Sequence, residues 1–445
     1  MLLNFKVKNY LSFKGEAGFS MEANRKIKNR NTVNNKNIIK LKDGETIWLN
    51  KTAIFYGANA SGKTNIFKGL DFLKYITLNS FGFQPGLGIK DELLEREKRQ
   101  GVRVFFDSFL LDEDSKQKDI EFEIEFLIDK IKYKYFLKLN QDEILKERLS
   151  YFEKSKEKVI INRQITKGEI EETYFGFEDE DFEKLKLFPR DNQTFISLLA
   201  DKDSKGKFLA TKIIKFFRGV NFIDSRFDLT GLTLPMLEIE SKKETILNFI
   251  KSADINIEDI KQEEREYKED DGIILMKNGQ RFIPNKILEL NFVHPVYQNK
   301  KRVGNIGFNL EKQESLGTKR LFGLVGIILK TIENNGILLI DEIDTHMHSL
   351  IIESLISIIH GINENGKNKI GESQFLFNTH SLDLMDLELF KKDQIYFTSK
   401  DFYGATEIYS LDDFKVIQIR NNSDIKKAYK LGAFGAIPIL SEFNL

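Results

Sequence analysis

Gly57-Ala58-Asn59-Ala60-Ser61-Gly62-Lys63-Thr64 is the stretch on which the rest of this chain turns. It has the form G-x-x-x-x-G-K-[ST], whose glycines let the backbone wrap so that successive N–H groups face an anion. The largely apolar run Ile47 to Tyr56 leads into it, as a buried strand would. Asn65 to Leu78 has apolar residues at helical spacing and should be the helix that the loop opens, adding its positive N-terminus. In such a loop Lys63 reaches the β- and γ-phosphates of ATP, and the Thr64 hydroxyl ligates Mg²⁺. Gly57, Asn59, Ala60, Ser61 and Gly62 supply the cradle. Glycine loops of this form also arise by chance, so the assignment needs a partner motif that handles metal and water.

Ile337-Leu338-Leu339-Ile340-Asp341-Glu342 supplies one. Its apolar residues predict a buried central strand, and two acids at the end of such a strand are costly unless something pairs them. Mg²⁺ compensates Asp341, and Glu342 then polarises the water that attacks the γ-phosphate. Alone, the segment is an ordinary strand with an acidic turn. Gln374 to His380 is a further apolar strand ending in polar residues. His380 can there donate to a γ-phosphate, whereas a lone histidine is more often a satisfied structural residue. Open α/β sheets present their ligands at strand carboxyl ends, so the three motifs are expected on one edge. Ser315, in Glu314-Ser315-Leu316-Gly317-Thr318-Lys319-Arg320, is expected to cap a helix over Leu321 to Leu329. By itself this is a helix cap; about twenty residues before the acids, it is a second anion site.

The chain has 445 residues, 41% of them apolar, which suffices for one large core or two moderate ones. Lys and Arg total 68 and Asp and Glu 68, so any nucleic-acid contact must come from a local patch. With no cysteine, disulfides, thiol catalysis and cysteine-based zinc sites are excluded. The N-terminus lacks a signal-peptide core, and apolar stretches such as Leu350 to Ile359 are too short to span a bilayer. A cytoplasmic protein with no membrane partner is expected.

The expected fold is α/β: a mixed central sheet with helices, an antiparallel β meander and a helical insertion. Residues 1–160 carry a strand pair at 2–8 and 11–19, the phosphate loop, and period-two alternation from Val102 to Leu139 that predicts the meander. Residues 161–289 are charge-dense, with helical periodicity in Asp191 to Ala200, Lys207 to Phe217 and Lys243 to Ser252. Within them Glu263 to Asp271 is expected as a solvated loop or helix face. From about 290 to 445, short buried strands alternate with helices.

A phosphate loop, a Ser-x-Gly segment, an acidic strand about twenty residues on and a strand ending in His together resemble ABC-class ATPase heads. The branch most similar holds RecF, the SMC proteins and the OLD nucleases. Within it, ESLGTKRL, LLIDEIDTHMH, FNTHS and the tail from Tyr429 to Pro438 resemble the RloA/AbiL family of bacterial ATPases, encoded beside phage-defence effectors. The resemblance covers roughly 1–160 and 290–445. It implies that Ser315 and Gly317 touch the γ-phosphate held by an opposite subunit, that Asp344 crosses the same interface, and that His380 is the switch histidine. ATP would then join two heads into a homodimer that hydrolysis releases. Leu316 stands where many transporters have the first glycine of the signature, and Gln84 is the candidate for the glutamine loop.

Two functions compete. In the first, the ATPase controls a separately encoded toxic effector, a nuclease, in anti-phage defence. OLD-type proteins continue into an acidic nuclease domain, whereas here 65 residues follow His380, and Asp383, Asp386 and Asp393 are expected to be surface acids. In the second, the chain is a RecF- or SMC-like ATPase that binds DNA through basic runs such as Arg25 to Arg30 and Asn299 to Arg302.

Overall fold

The computed structural model describes residues 1–24, 36–84, 86–100, 105–166, 169–174, 191–201, 206–253, 256–267, 275–277, 280–282, 286–360, 371–414 and 422–437. Arg25 to Arg30 and Pro438 lie outside them. Two compact units emerge, one of residues 1–225, 331–344 and 355–445, the other of 226–330 and 345–354. These boundaries fall elsewhere than the sequence divisions near 160 and 289.

In the first unit, alternating apolar residues give β1 (Leu2–Lys8) one dry face, and it pairs antiparallel with β2 (Ala17–Ser20). The run Ile47 to Tyr56, expected as one strand, is two. β4 (Thr46–Asn50) pairs with β3 (Lys36–Lys40) in a separate ribbon, and after Lys51 the fully buried β5 (Thr52–Gly57) leads to the phosphate loop. Then comes α1 (Lys63–Asn79), whose Ile66, Phe67, Leu70, Leu73 and Ile76 are buried at helical spacing.

The meander follows as β6 (Ile120–Ile128), β7 (Ile131–Leu139), β8 (Ile144–Glu153), β9 (Lys156–Thr166) and β10 (Glu169–Tyr174). With β1 and β2 it makes a seven-stranded antiparallel sheet ordered β10-β9-β8-β7-β6-β1-β2. The stretch beginning at Val102 is not part of it; its described residues, from Phe105, run irregularly. Its aromatics serve α1 instead of a ladder: Phe106 stacks on Phe72 at 5.2 Å, Lys68 lies over the Phe105 ring, and Tyr10 donates to the Phe105 carbonyl. Period two misleads here because packing, not pairing, sets the apolar positions.

The second large sheet of this unit holds β5, β11 (Val220–Ile223), β17 (Ile337–Ile340), β18 (Gln374–Asn378), β19 (Ile395–Lys400) and β20 (Thr406–Ser410), ordered β11-β17-β18-β5-β19-β20. All neighbours are parallel except β20, which runs antiparallel to β19 at the edge. Near-continuous apolar burial along its central strands is the mark of a sheet covered on both faces. α1 packs on this sheet and on the seven-stranded one, Phe67 meeting Phe55 at 5.4 Å and Phe72 meeting Phe122 at 5.5 Å. The α/β class expected from the sequence holds. The segment 161–289 carries helices at Phe195–Asp201, Gly206–Arg218 and Glu240–Ser252, close to the periodic stretches, but it also delivers β11 to the core sheet.

In the second unit, β12 (Asp259–Glu266), β15 (Lys286–Gln298) and β16 (Lys301–Asn309) form an antiparallel sheet; β13 (Leu275–Lys277) and β14 (Gln280–Phe282) make a short hairpin. Ile260, Phe292, Phe322 and Val325 share a core with Ile246 and Ile250 of the helix Glu240–Ser252. Glu263 to Glu266 is therefore strand and not a loop or helix face. Its charges are met across the ladder, Arg265 pairing with Glu289 at 2.6 Å and Lys286 with Glu264 at 3.1 Å. Nor is the chain after 290 at first a set of short buried strands: β15 has 13 residues, and β16 is mostly exposed. The basic run Asn299 to Arg302 turns the β15–β16 hairpin, with φ of +50° at Asn299 and +64° at Lys300, and Arg302 pairs with Glu258 at 2.5 Å.

Candidate functional site

Because β5, β17 and β18 run parallel, their carboxyl ends reach one edge together. The phosphate loop leaves β5 there. Gly57 has no room for a side chain, since a Cβ would overlap Thr398 Oγ1 and Ser61 Oγ. Gly62 has φ of +103°, and a Cβ there would meet the Thr406 and Ser12 hydroxyls. Asn59 and Ala60 form the exposed crest of the loop, Ala60 with φ of +60°. The loop is braced by hydroxyls: Ser61 Oγ lies 2.6 Å from Thr398 Oγ1, and Thr406 Oγ1 donates to the Ser61 carbonyl at 2.9 Å. Thr406 Oγ1 also lies 2.8 Å from Ser12 Oγ.

Lys63 is buried, and its ammonium donates to the Gly57 and Ala58 carbonyls at 2.8 and 2.9 Å. Burial pulls its pKa down to about 8, against the pull of Asp341, Glu342 and Asp344. Thr64 Oγ1 donates to Asp341 Oδ1 at 2.8 Å. Burial raises the Asp341 pKa, opposed by hydrogen bonds from Asn378 and Thr64 and abetted by the charges of Glu342 and Asp224. Glu342 follows in the left-handed region, φ +47°, its N–H donating to Asn378 Oδ1 at 2.5 Å. Asp344 accepts from Thr379 Oγ1 at 2.7 Å and from the His380 N–H at 3.4 Å. His380 is exposed as a whole residue. Partial desolvation of its ring, and then the Lys63 ammonium, push its pKa below the ordinary value, while Asp344, Glu342 and Asp341 pull it up.

The donor set suits Mg²⁺. A hydroxyl and a carboxylate oxygen 2.8 Å apart offer the hard oxygen ligands that ion takes, and a buried anion with a raised pKa is one that a cation would stabilise.

Ser315 and Gly317 lie in the second unit. Ser315 caps the helix Leu316–Glu333, its Oγ accepting the Thr318 N–H at 3.0 Å. A Cβ on Gly317 would come 2.7 Å from the His346 carbonyl oxygen, so close backbone approach requires glycine there. Gln84 is exposed after α1, its main chain held by Glu92 at 3.2 Å and Asn192 at 3.0 Å. Asp393, expected at the surface, is buried: its carboxylate accepts the Asn24 N–H at 2.7 Å and Asn50 Nδ2 at 3.2 Å. Among the described residues no group of three or more His, Asp or Glu could hold a metal ion by itself.

Three residues at the site do not emerge from the sequence: Asn378, Thr379 and Asp224. Asn378 is detectable in principle, because an amide closing a buried apolar strand must place both donor and acceptor. Thr379 and Asp224 give no such signal.

The family model described as "AAA domain, putative AbiEii toxin, Type IV TA system" matches residues 53–386. No curated protein matches the chain. Similar solved structures include an SmcHead bound to the C-winged helix domain of ScpA (15% identity, 94% of this chain, 99% of that one, TM-score 0.41). Others are the SMC head domain from Thermotoga maritima (11%, 92% and 98%, 0.39) and an Smc head domain with a coiled coil and joint derived from Pyrococcus yayanosii (11%, 96% and 99%, 0.40). Likenesses this distant carry no functional weight; the family match and the site geometry do.

Proposed function

The chain belongs to this AAA-domain family, and from that premise we propose that it is a Mg²⁺-dependent ATPase, working as an ATP-joined homodimer that controls a separate toxic effector in anti-phage defence. The observation that carries the ATPase reading is the contact between Thr64 and Asp341 at the mouth of a loop floored by Lys63. When bound there, Mg²⁺ neutralises charge on the β- and γ-phosphates. The chain's own residues do the rest. Loop N–H groups and Lys63 hold the triphosphate, Thr64 and Asp341 hold the ion, and Glu342 orients a water and takes its proton. His380 reports the γ-phosphate. The resemblance to ABC-class heads assigns Ser315, Gly317 and Asp344 to the partner-facing half of the sandwich.

Effector control rests on the resemblance to the RloA/AbiL ATPases; the family's description, which names a toxin–antitoxin system, is in keeping with that setting. Asp393 is engaged inside the core, which argues against a nuclease centre built from it on this chain. The experiment is phosphate release by the purified protein with ATP in Mg²⁺ and in EDTA, with DNA and RNA present. Mg²⁺-dependent turnover with intact nucleic acid supports the proposal. Absence of turnover sinks the ATPase part, and nucleic-acid cleavage by the chain alone sinks the separate effector.

A further inference from the structure

Asn378 ends β18 with its side chain fully buried, beside the two acids that follow β17. Both ends of its amide are committed. Nδ2 donates to Asp341 Oδ1, and Oδ1 accepts the Glu342 N–H at 2.5 Å. Its main-chain carbonyl accepts the Ile343 N–H at 3.1 Å, so one residue meets three consecutive positions of the acidic turn. The neighbours also fix which way the amide faces, because a carboxylate can only accept and a peptide N–H can only donate.

Glu342 holds a left-handed backbone at φ +47°, a conformation that is costly for a residue with a side chain and persists only where its surroundings impose it. The Asn378 side-chain oxygen is such a constraint. No other side chain of similar size fills both roles. Leucine would take the side-chain acceptor from the Glu342 N–H and one of the two donors from Asp341 Oδ1, and aspartate would set two carboxylates against each other.

We propose that Asn378 is a positioning residue for hydrolysis, aiming Asp341 at the metal and holding Glu342 where it can reach the attacking water. The proposal rests on the ATPase reading, and the two can fail separately. Wild-type protein that does not hydrolyse ATP sinks that reading, whatever the variants do.

With an active wild type, Asn378→Ala should bind ATP in EDTA within about threefold of normal affinity while turnover with Mg²⁺ falls about 10- to 100-fold. Placed in a Glu342→Gln background and followed in single turnovers, the same change should cost clearly less than in the wild type, since the part of its effect that acts through Glu342 is already gone. Normal turnover by Asn378→Ala, or losses that multiply in full across the double variant, would overturn the proposal. If Asn378→Ala unfolds or loses ATP in EDTA, the isosteric Asn378→Asp decides. It should bind ATP in EDTA as the wild type does, yet gain far less affinity on adding Mg²⁺; an undiminished Mg²⁺ response would refute the role.

Discussion

Thr64 Oγ1 stands 2.8 Å from Asp341 Oδ1 although 277 positions separate the two residues. The strand that delivers one is not even adjacent to the strand that delivers the other: β18 lies between β5 and β17. The inserted strand is what completes the site, because it brings Asn378, Thr379 and His380 to the gap between phosphate loop and acids. A hydroxyl on a helix and a carboxylate on a strand can then share one divalent cation.

Lys63→Ala should abolish measurable ATP binding, since the buried charge and the phosphate contact vanish together. The wild type adds a pH signature. Burial holds the Lys63 pKa down to about 8, and bound phosphate favours the charged form, so binding above that pH must recruit a proton. Affinity should stay flat below about pH 7 and weaken by up to about tenfold per unit above pH 8. Calorimetric titration across about pH 6.5 to 9 would test this, and an affinity that does not change up to about pH 9 would contradict it.

Glu342→Gln should leave ATP binding intact and lower turnover by about 10²- to 10⁴-fold, the usual contribution of a positioned general base. ATP-loaded dimers should then accumulate on a sizing column with light scattering. Turnover at the wild-type rate would show that another group activates the water.

Ser315→Arg should spare ATP binding by the monomer and prevent the dimer. The side chain lies at the start of the helix Leu316–Glu333, where a long cation replaces a hydroxyl that also caps Thr318. Loss of that cap should cost about 1 kcal/mol, too little to unfold a domain. A dimer that still forms with ATP in the Glu342→Gln background would remove Ser315 from the interface.

His360 gives the protein an acid limit of its own. It is buried with Nε2 2.7 Å from Thr52 Oγ1, and burial, with Lys391 and Lys51, lowers its pKa from 6.5 to about 3. The folded chain keeps it neutral while the unfolded chain protonates it, so its contribution is complete above pH 6.5 and drains away as pH falls towards about 3. Between about pH 7.5 and 5.5 the difference should be about 1 kcal/mol. Denaturant midpoints for wild type and His360→Asn at both pH values would show it as a shallower dependence in the variant; identical slopes would assign the effect elsewhere.

The chemistry is more legible in the sequence than the architecture. Phosphate loop, acidic strand and His380 announce themselves because each needs particular residue types at the end of an apolar run. The side chains that hold them do not. Asn378 and Thr379 read as ordinary polar residues until β18 is seen to lie between β5 and β17. Periodicity fails where packing overrides it, as at Phe106 against Phe72, and where charge conceals a strand, as at Glu263 to Glu266. Ladder partners can satisfy a two-faced polar strand, and no local pattern reports a partner that lies in β15.

The hydroxyl brace behind Ser61 has a consequence for synthesis. The phosphate loop is complete in the nascent chain by residue 64, but Thr398 and Thr406, which buttress it, emerge from the ribosome more than three hundred residues later. Until they arrive the loop lacks its hydroxyl brace, so a growing polypeptide should bind ATP poorly for most of its translation. Competence for the nucleotide should then come on late and as a unit.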